Sequence, residues 1–352
     1  MTAHLIAVHK KISFLRGRAS HIPNLNIFLA MYIRKEALFS SQIEGTQATL
    51  DDILDPLLDE NLNRDVQDAI DNVAAVQYAL DRLRNEHDLP LSLRLLKDTH
   101  KVLLQHSRGQ NKSPGEFRYT QNWIGPTGCS LQQASFVPPN PSDMKQALYQ
   151  LELYFHEEDD LDPLIRAALI HYQFETIHPF LDGNGRIGRL LILLYLIDKN
   201  IIDSPYLYIS YFLKLNRTKY YEYMTSVRTD GTYEAWVKFF LNAAEKAAQD
   251  ALETIDRLHQ LSEDSRVKVM DGVNGKATLV KLEHFMRYLE STPIIEIRRT
   301  SSDLGWSFPT TSKYVKRFSD AGILKEVTGR TRGRVFAYDE YLQILRKDMQ
   351  PL

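Results

Sequence analysis

The residues best suited to chemistry lie in one short glycine-rich segment, residues 178–189 of the 352-residue chain. The segment begins with a histidine, carries an aspartate and a Gly-Asn-Gly turn, and ends with two arginines three residues apart. Pro179 disfavours continuation of a helix through His178. Gly183 and Gly185 allow positive φ angles and a close approach of the backbone to a ligand. The pattern predicts a loop that joins two apolar helices around a bound group.

Arg186 and Arg189 fall in the first turn of the second predicted helix. Cations are unfavourable there, because a helix N-terminus carries partial positive charge. A bound anion resolves this conflict, since backbone N–H groups and guanidinium groups together form a polyphosphate site. Asp182 beside such phosphates favours Mg²⁺, which one carboxylate and phosphate oxygens commonly hold. His178 at the loop entrance then suits a general base facing an incoming nucleophile.

The segment also has simpler interpretations. A Gly-Asn-Gly turn between helices is often only a turn whose arginines pair with nearby acids. A P-loop is excluded, because no Gly-Lys-Ser/Thr follows the glycines. His171, Glu175 and His178 share a helix face without the HExxH order of a zinc site, and His171 is better explained as a buried structural residue. The residue types taken together favour the phosphate site.

Residues 178–189 resemble the signature of Fic domains, His-x-Phe-x-(Asp/Glu)-Gly-Asn-Gly-Arg-x-x-Arg. Segments 114–118 and 135–139, Pro-Gly-Glu-Phe-Arg and Ser-Phe-Val-Pro-Pro, are also similar to parts of the Fic core. The resemblance implies a Fic-type helical core and adenylylation, the transfer of AMP from ATP to a protein hydroxyl. All eight fixed positions of the signature are met, by His178, Phe180, Asp182, Gly183, Asn184, Gly185, Arg186 and Arg189.

The resemblance also assigns roles. His178 is the catalytic residue that deprotonates the target Ser, Thr or Tyr, and Asp182 holds Mg²⁺, the expected cofactor. Phe180 is an apolar plug that seats the loop, and the Gly-Asn-Gly turn surrounds the phosphates. The predicted ATP-binding residues are Glu44, Gly183, Asn184, Gly185, Arg186, Ile187, Gly188, Arg189 and Tyr221.

Tyr221 is the predicted wall of the adenine pocket, because the family lines the base with residues of the helix that follows the core helices. Its neighbour Tyr220 competes for this role, and aromatic residues at helical spacing are also typical of a core. Some family members place an asparagine seven residues beyond this tyrosine, where this chain has Arg228. Base recognition therefore stays open at this point.

Residues 40–45, Ser-Ser-Gln-Ile-Glu-Gly, resemble the family's inhibitory motif, (Ser/Thr)-x-x-x-Glu-(Gly/Asn). Ser40 and Glu44 share one helix face, and Gly45 is a natural helix stop. An acid at a helix C-terminus is unfavourable with the helix dipole, which favours a specific partner. The resemblance implies that this partner is Arg189, whose guanidinium would otherwise orient the γ-phosphate. The simpler interpretation is that Glu44 is a solvated charge.

Apolar periodicity predicts a mostly α-helical chain in three parts. Residues 1–108 form an N-terminal helical region, residues 109–262 a Fic core and residues 276–352 a C-terminal domain, with a linker at 262–275. The Gly-, Pro- and Ser-rich stretch 109–142 predicts a long loop with a β-hairpin flap that registers a target strand by β-augmentation. The predicted helices are 25–44, 49–58, 65–84, 92–106, 144–156, 163–177, 185–200, 218–228, 233–261, 279–290, 294–303 and one from Pro309; the hairpin pairs 122–124 with 134–137.

The pattern after residue 277 predicts a winged helix-turn-helix. Its recognition helix would begin at Pro309, and two β-prone pieces would enclose a basic wing. Such elements contact nucleic-acid phosphates and groove edges, but many winged helices bind protein or dimerise instead, so both interpretations stay open. The basic residues concerned are Lys313, Lys316 and Arg317 in the helix and Arg330, Arg332 and Arg334 in the wing.

Composition limits the alternatives. A single cysteine excludes a disulfide framework and a four-cysteine zinc site. The longest apolar run, residues 190–197, is too short to span a bilayer, and no leader segment is visible, so we expect a cytoplasmic protein without membrane contact. The net charge of −2 hides a basic tail, because residues 266–352 hold 16 Lys and Arg against 10 Asp and Glu.

The expected function is a protein adenylyltransferase that uses ATP and Mg²⁺ and is restrained by Glu44. Its partners are ATP and a hydroxyl-bearing protein, with self-modification and a homodimer as further expectations. One alternative is the reverse reaction, removal of AMP from a modified protein. Another is a DNA-binding regulator whose Fic core senses a nucleotide.

Overall fold

The computed structural model describes residues 1–20, 22, 25–57, 61–84, 89–126 and 128–347. It confirms the predicted mostly helical class. The first part contains α1 (Thr2–Ala19), α2 (Leu25–Ile43), α3 (Leu50–Ile53), α4 (Arg64–Arg84) and α5 (Leu93–Leu103). The central part contains α6 (Pro141–His156), α7 (Pro163–Ile177), α8 (Asn184–Asp198), α9 (Ile209–Leu215), α10 (Arg217–Asp230) and α11 (Tyr233–Met270).

Helix α2 lies at the centre of the molecule. It packs against α4, α8, α9 and α12 (Lys276–Ser291), and all nine of its residues from Lys35 to Ile43 are buried. Asn72 of α4 donates its side-chain amide to the carbonyl oxygen of Ala37, at 2.7 Å, and to Ser41 Oγ, at 3.0 Å. The helix that carries the motif of residues 40–45 is therefore a core element.

The chain turns sharply after α2. Gly45 has a φ of 95°, as expected for a helix stop. Thr49 and Asp52 form a capping box at the start of α3, with the Thr49 N–H 2.8 Å from Asp52 Oδ2. Helix α3 is nevertheless shorter than predicted, because Pro56 disfavours a helical conformation at the residue before it. The predicted end of this helix, Leu58, lies outside the described residues.

Helix α11 contradicts the predicted linker at 262–275, since it continues to Met270. Ser262, Ser265 and Val269 are buried along one face of the extension. Arg266 forms ion pairs with Glu283 and Glu290 of α12, at 3.2 and 3.1 Å. These tertiary contacts keep a polar segment helical.

The C-terminal part continues from α12 with β1 (Ile294–Glu296), α13 (Ile297–Leu304), α14 (Phe308–Asp320), β2 (Lys325–Glu326), β3 (Val335–Ala337) and α15 (Asp339–Leu345). The strands form an antiparallel sheet in the order β1-β3-β2, with Ile295 opposite Phe336. The predicted helix from residue 294 is wrong in its first three residues, because its β-branched residues pair with β3 instead. The winged-helix assignment itself stays a prediction.

Two ion pairs join the end of the chain to earlier parts. Arg346 forms a bidentate pair with Asp51 of α3, at 2.8 and 2.9 Å, and Lys347 pairs with Asp250 of α11 at 2.6 Å. No helix among the described residues is long and apolar enough to cross a membrane.

Candidate active site

His178 ends α7 in a left-handed conformation, with a φ of 50°. This conformation is uncommon for a residue other than glycine, and surrounding hydrogen bonds hold it. The His178 N–H donates to the Phe174 carbonyl oxygen at 2.9 Å, and the His178 carbonyl oxygen accepts from Arg118 Nε at 2.9 Å and Asn122 Nδ2 at 3.3 Å. The break predicted at Pro179 is thus confirmed.

Arg118 connects the loop to the flap. Its guanidinium is buried and donates to carbonyl oxygens of His178, Thr120 and Pro139, and its N–H donates to the Pro179 carbonyl oxygen at 2.9 Å. Burial lowers the pKa of Arg118. A cation held by neutral carbonyl oxygens keeps its positive field, which acts on the nearby imidazole of His178.

The loop closes on itself through Asn184. Asn184 Oδ1 accepts the Phe180 N–H and Asn184 Nδ2 donates to the Phe180 carbonyl oxygen, both at 2.8 Å. The Asn184 side chain is therefore committed to shaping the loop. Any contact of Asn184 with a nucleotide is left to its backbone.

Phe180 is fully buried and stacks on His100 of α5, with ring centroids 3.8 Å apart and planes at 8°. His100 Nε2 donates to the Asp182 carbonyl oxygen at 3.0 Å, and Nδ1 accepts the Gly115 N–H at 2.9 Å. Burial lowers the pKa of His100 to about 4, so the ring is neutral and its tautomer is fixed by these partners. Sequence reasoning missed His100, whose only signal was a lone histidine in an amphipathic helix.

Arg189 and Glu44 meet as the inhibitory motif implies. Arg189 Nη2 donates to Glu44 Oε1 at 2.7 Å, while Nε donates to Ser40 Oγ and Nη2 to the Ser40 carbonyl oxygen, each at 2.9 Å. Burial opposes the charge of both groups, but the pair outweighs it, so the pKa of Glu44 is lowered and that of Arg189 is raised. A methyl group on Gly185 would collide with the Glu44 carboxylate, so Glu44 can hold this position only beside a glycine.

Arg186 and Asp182 form a looser pair, with 3.8 Å between Nη2 and Oδ1. Arg186 is nearly buried, and its Nε has no hydrogen-bond partner. Asp182 is 43% exposed and also accepts the Gly183 N–H at 2.6 Å. A buried donor without a partner beside an exposed carboxylate is the arrangement expected where an anion and a cation bind together.

Tyr220, Tyr221 and His171 have different surroundings in the structure. Tyr220 belongs to the core, where its hydroxyl lies 2.8 Å from His171 Nε2, while Tyr221 is 41% exposed. His171 Nδ1 donates to the Gly188 carbonyl oxygen at 2.9 Å, and burial lowers the pKa of His171 to about 3. His171 is thus structural, and no metal-ligand cluster of three acids, histidines or cysteines occurs in the described ranges.

Ile187 and Gly188 lie behind the loop. The Ile187 side chain is buried, and its N–H donates to the Gly183 carbonyl oxygen at 3.1 Å. The Ile187 N–H and the Gly188 carbonyl oxygen are therefore already hydrogen-bonded within the protein. These hydrogen bonds do not favour the predicted contact of Ile187 and Gly188 with ATP.

The predicted hairpin is reduced to one antiparallel bridge, between Ile124 and Phe136. Pro126 and Pro138 flank the pieces, and proline cannot donate to a strand ladder. The Arg228 guanidinium lies 4.0 Å from the centre of the Phe136 ring. Arg228 therefore contacts the flap from α10.

The helical core and the histidine-bearing glycine loop define a Fic-type protein. Two family models match the chain: the Fic/DOC family model over residues 90–196 and the Fic/DOC family N-terminal model over residues 2–81. The matched segments together cover more than half of the 352 residues. The chain belongs to the Fic/DOC family.

Curated relatives include the protein adenylyltransferase Fic of Culex quinquefasciatus, 31% identical over 175 residues, which are 49% of this chain and 31% of the relative. The protein of the same name from Drosophila willistoni is 27% identical over 249 residues, 69% of this chain and 44% of the relative. The matched region thus spans less than half the length of either relative.

Solved structures share the fold. A Fic family protein from Desulfovibrio desulfuricans aligns with a TM-score of 0.59 at 19% identity, over 96% of each chain. Fic-1 from C. elegans aligns with a TM-score of 0.53 at 20% identity, over 71% of this chain and 72% of that chain.

Phe180→Ala should lower the free energy of unfolding by about 3–5 kcal/mol, because it removes a buried ring and leaves a cavity beside His100. Urea denaturation followed by circular dichroism measures the change. The matched control is Tyr119→Ala, whose ring is 76% exposed, and which should change stability by less than about 0.5 kcal/mol. Equal effects of the two substitutions would contradict the role of Phe180 as the plug that seats the loop.

Proposed function

We propose that this protein is a protein adenylyltransferase that transfers AMP from ATP to a Ser, Thr or Tyr hydroxyl of a protein. The observation that carries the proposal is the placement of a neutral histidine near two buried arginines of the first turns of α8, all three close enough to act on Glu44. The curated relatives named protein adenylyltransferase support it. Arginines at a helix start need an anion, and the triphosphate of ATP supplies one.

His178 is suited to accept the proton of the attacking hydroxyl. Its Nδ1 faces the Glu175 carbonyl oxygen at 3.3 Å, which places the ring proton on Nδ1 and leaves Nε2 basic. Burial, with the charges of Arg118 and Arg228, lowers the pKa of His178 to about 4 although the Glu175 carbonyl oxygen and Glu44 act to raise it, so the ring is neutral at pH 7. A general base must be unprotonated before it acts.

The transfer requires two partners for the phosphates. The hydroxyl oxygen forms a bond to the α-phosphorus, the bond from that phosphorus to the β-phosphate oxygen breaks, diphosphate leaves, and the hydroxyl proton passes to His178. Arg186, with its unpartnered Nε, and Arg189 stabilise the developing negative charge.

Asp182 is an exposed single carboxylate and fits Mg²⁺, which when bound neutralises phosphate charge and orients the leaving group.

We also propose that Glu44 restrains this reaction. Its carboxylate occupies the Arg189 guanidinium, which would otherwise hold the γ-phosphate. The charged hydrogen bond is stronger than a neutral one, and the Ser40 contacts hold the guanidinium in the same orientation. ATP would then bind with its α-phosphate displaced from His178.

A second candidate function is nucleic-acid binding by the C-terminal part. One specific observation favours it: a single cavity is lined by Arg298 and Arg299 of α13 and by Arg330 and Arg332 between β2 and β3. Arginine clusters of this kind bind phosphate backbones. Arg317, predicted to be available for DNA, instead donates to the carbonyl oxygens of Val269 and Asp271, at 2.7 and 2.9 Å.

His178→Ala should abolish AMP transfer and leave ATP affinity within about two-fold, because the imidazole acts on the nucleophile and not on the phosphates. Transfer is measured with radiolabelled ATP and by intact mass of the self-modified protein, and affinity by calorimetry. His156→Ala, at the exposed end of α6, is the matched control. Undiminished transfer by His178→Ala would remove this histidine from the mechanism.

Glu44→Gly should raise AMP transfer several-fold, because it frees Arg189 for the γ-phosphate. The measurement is the initial rate of label incorporation at saturating ATP. Glu157→Gly removes another exposed glutamate just beyond a helix end and should leave the rate unchanged. If both variants match the wild type, the inhibitory role of Glu44 is wrong. AMP release from a modified protein, faster than its transfer, would favour the reverse reaction.

The double substitution Arg330→Ala, Arg332→Ala should weaken binding of a random DNA duplex at low salt. The slope of log affinity against log salt should become shallower by about one for each lost phosphate contact. Fluorescence anisotropy over a salt series measures both, with Arg94→Ala, an exposed arginine of α5, as control. Absence of DNA binding by the wild type at any salt would leave protein interaction as the role of this part.

A further inference from the structure

Glu175 is a mostly buried acid that the reaction described above does not use. It lies in the last turn of α7, three residues before His178, and its side chain is 12% exposed. Its Oε2 is 3.9 Å from His178 Nδ1, too long for a hydrogen bond. Its Oε1 is buried and has no hydrogen-bond partner. An acid kept in this position costs free energy unless it gains a partner in another state of the site.

The neighbouring helix leaves space for this carboxyl group. Gly188 lies in the second turn of α8, and a methyl group there would collide with Glu175 Oε1 and press on Phe174. Neither Glu175 nor Gly188 is a fixed position of the signature. Glu175 on α7 and Gly188 on α8 together place a carboxylate beside His178. The signature does not require this carboxylate.

The charges around Glu175 oppose one another. Burial, with the charge of Glu44, raises the pKa of Glu175 to about 7 although Arg189 and Arg228 act to lower it. Tyr220 of α10 also faces this cluster. The Glu44 carboxylate is thus one of the groups that favour the neutral form of Glu175.

Building on the proposed transferase function, we propose that Glu175 is a positioning residue for His178. Its carboxylate and its backbone carbonyl oxygen, which faces Nδ1 at 3.3 Å, orient the imidazole together through Nδ1–H, so that Nε2 faces the target hydroxyl. When the hydroxyl oxygen bonds to the α-phosphorus and diphosphate leaves, the proton moves to Nε2, and Glu175 stabilises the resulting imidazolium.

The test compares Glu44→Gly with Glu44→Gly, Glu175→Gln, because the first variant provides measurable transfer. Gln keeps the shape of the side chain and removes the charge. We expect kcat to fall by about ten-fold or more, with the KM for ATP within two-fold, as for the loss of an orienting carboxylate. The acidic limb of the kcat–pH profile should move to lower pH, because a His178 without its anion is protonated less readily.

Two further variants separate positioning from folding. Glu175→Asp should restore part of kcat. Gly188→Ala should lower kcat, because its methyl group displaces the Glu175 carboxylate. It should show no additional effect when combined with Glu175→Gln, since both substitutions remove the same contact. Glu222→Gln on the exposed face of α10 is the control, and thermal unfolding checks that each variant folds. An unchanged kcat and pH profile for Glu175→Gln would overturn the inference alone. Absence of AMP transfer by Glu44→Gly itself would instead refute the proposed function.

Discussion

The buried guanidinium of Arg189 is the constraint on which the site depends. Arginine cannot shed its charge in a protein, and an isolated buried charge is very costly. Ser40 and Glu44 supply the acceptors, and they can do so only because α2 packs directly against α8. The same requirement explains why phosphate is a suitable ligand, since any state in which Glu44 leaves must offer Arg189 another anion. The Glu44 carboxylate of the proposed restraint and the phosphate of the proposed substrate are thus alternative anionic partners of Arg189.

Much of the site follows from local rules in the sequence. Pro179 and the glycines indicate where α7 ends and α8 begins. The contact between Glu44 and Arg189 was predictable from the resemblance, although 145 residues separate them. The structural role of His171 followed from its apolar surroundings. Each of these depends on residue type and short spacing, or on a motif specific enough to fix a distant pairing.

Other features depend on tertiary contacts that spacing does not reveal. His100 stacks on Phe180 from a different helix, and Arg118 gathers carbonyl oxygens from three segments. The unpaired position of Glu175 is visible only once Gly188 lies beside it. The sequence also did not predict the helical extension of α11 or the strand at residue 294. Both depend on distant contacts, since Arg266 forms ion pairs with α12 and Ile294 and Ile295 pair with β3.

Helix α11 has a mechanical consequence. Its 38 residues form a rod about 57 Å long at 1.5 Å per residue. At its start Trp236 donates to the Ala168 carbonyl oxygen of α7, the helix that ends at His178, and at its far end Arg266 holds α12. A continuous helix contains no flexible joint, so it connects the C-terminal part rigidly to the part that carries His178. A rotation of α11 at one end would therefore also turn the elements that pack against its other end.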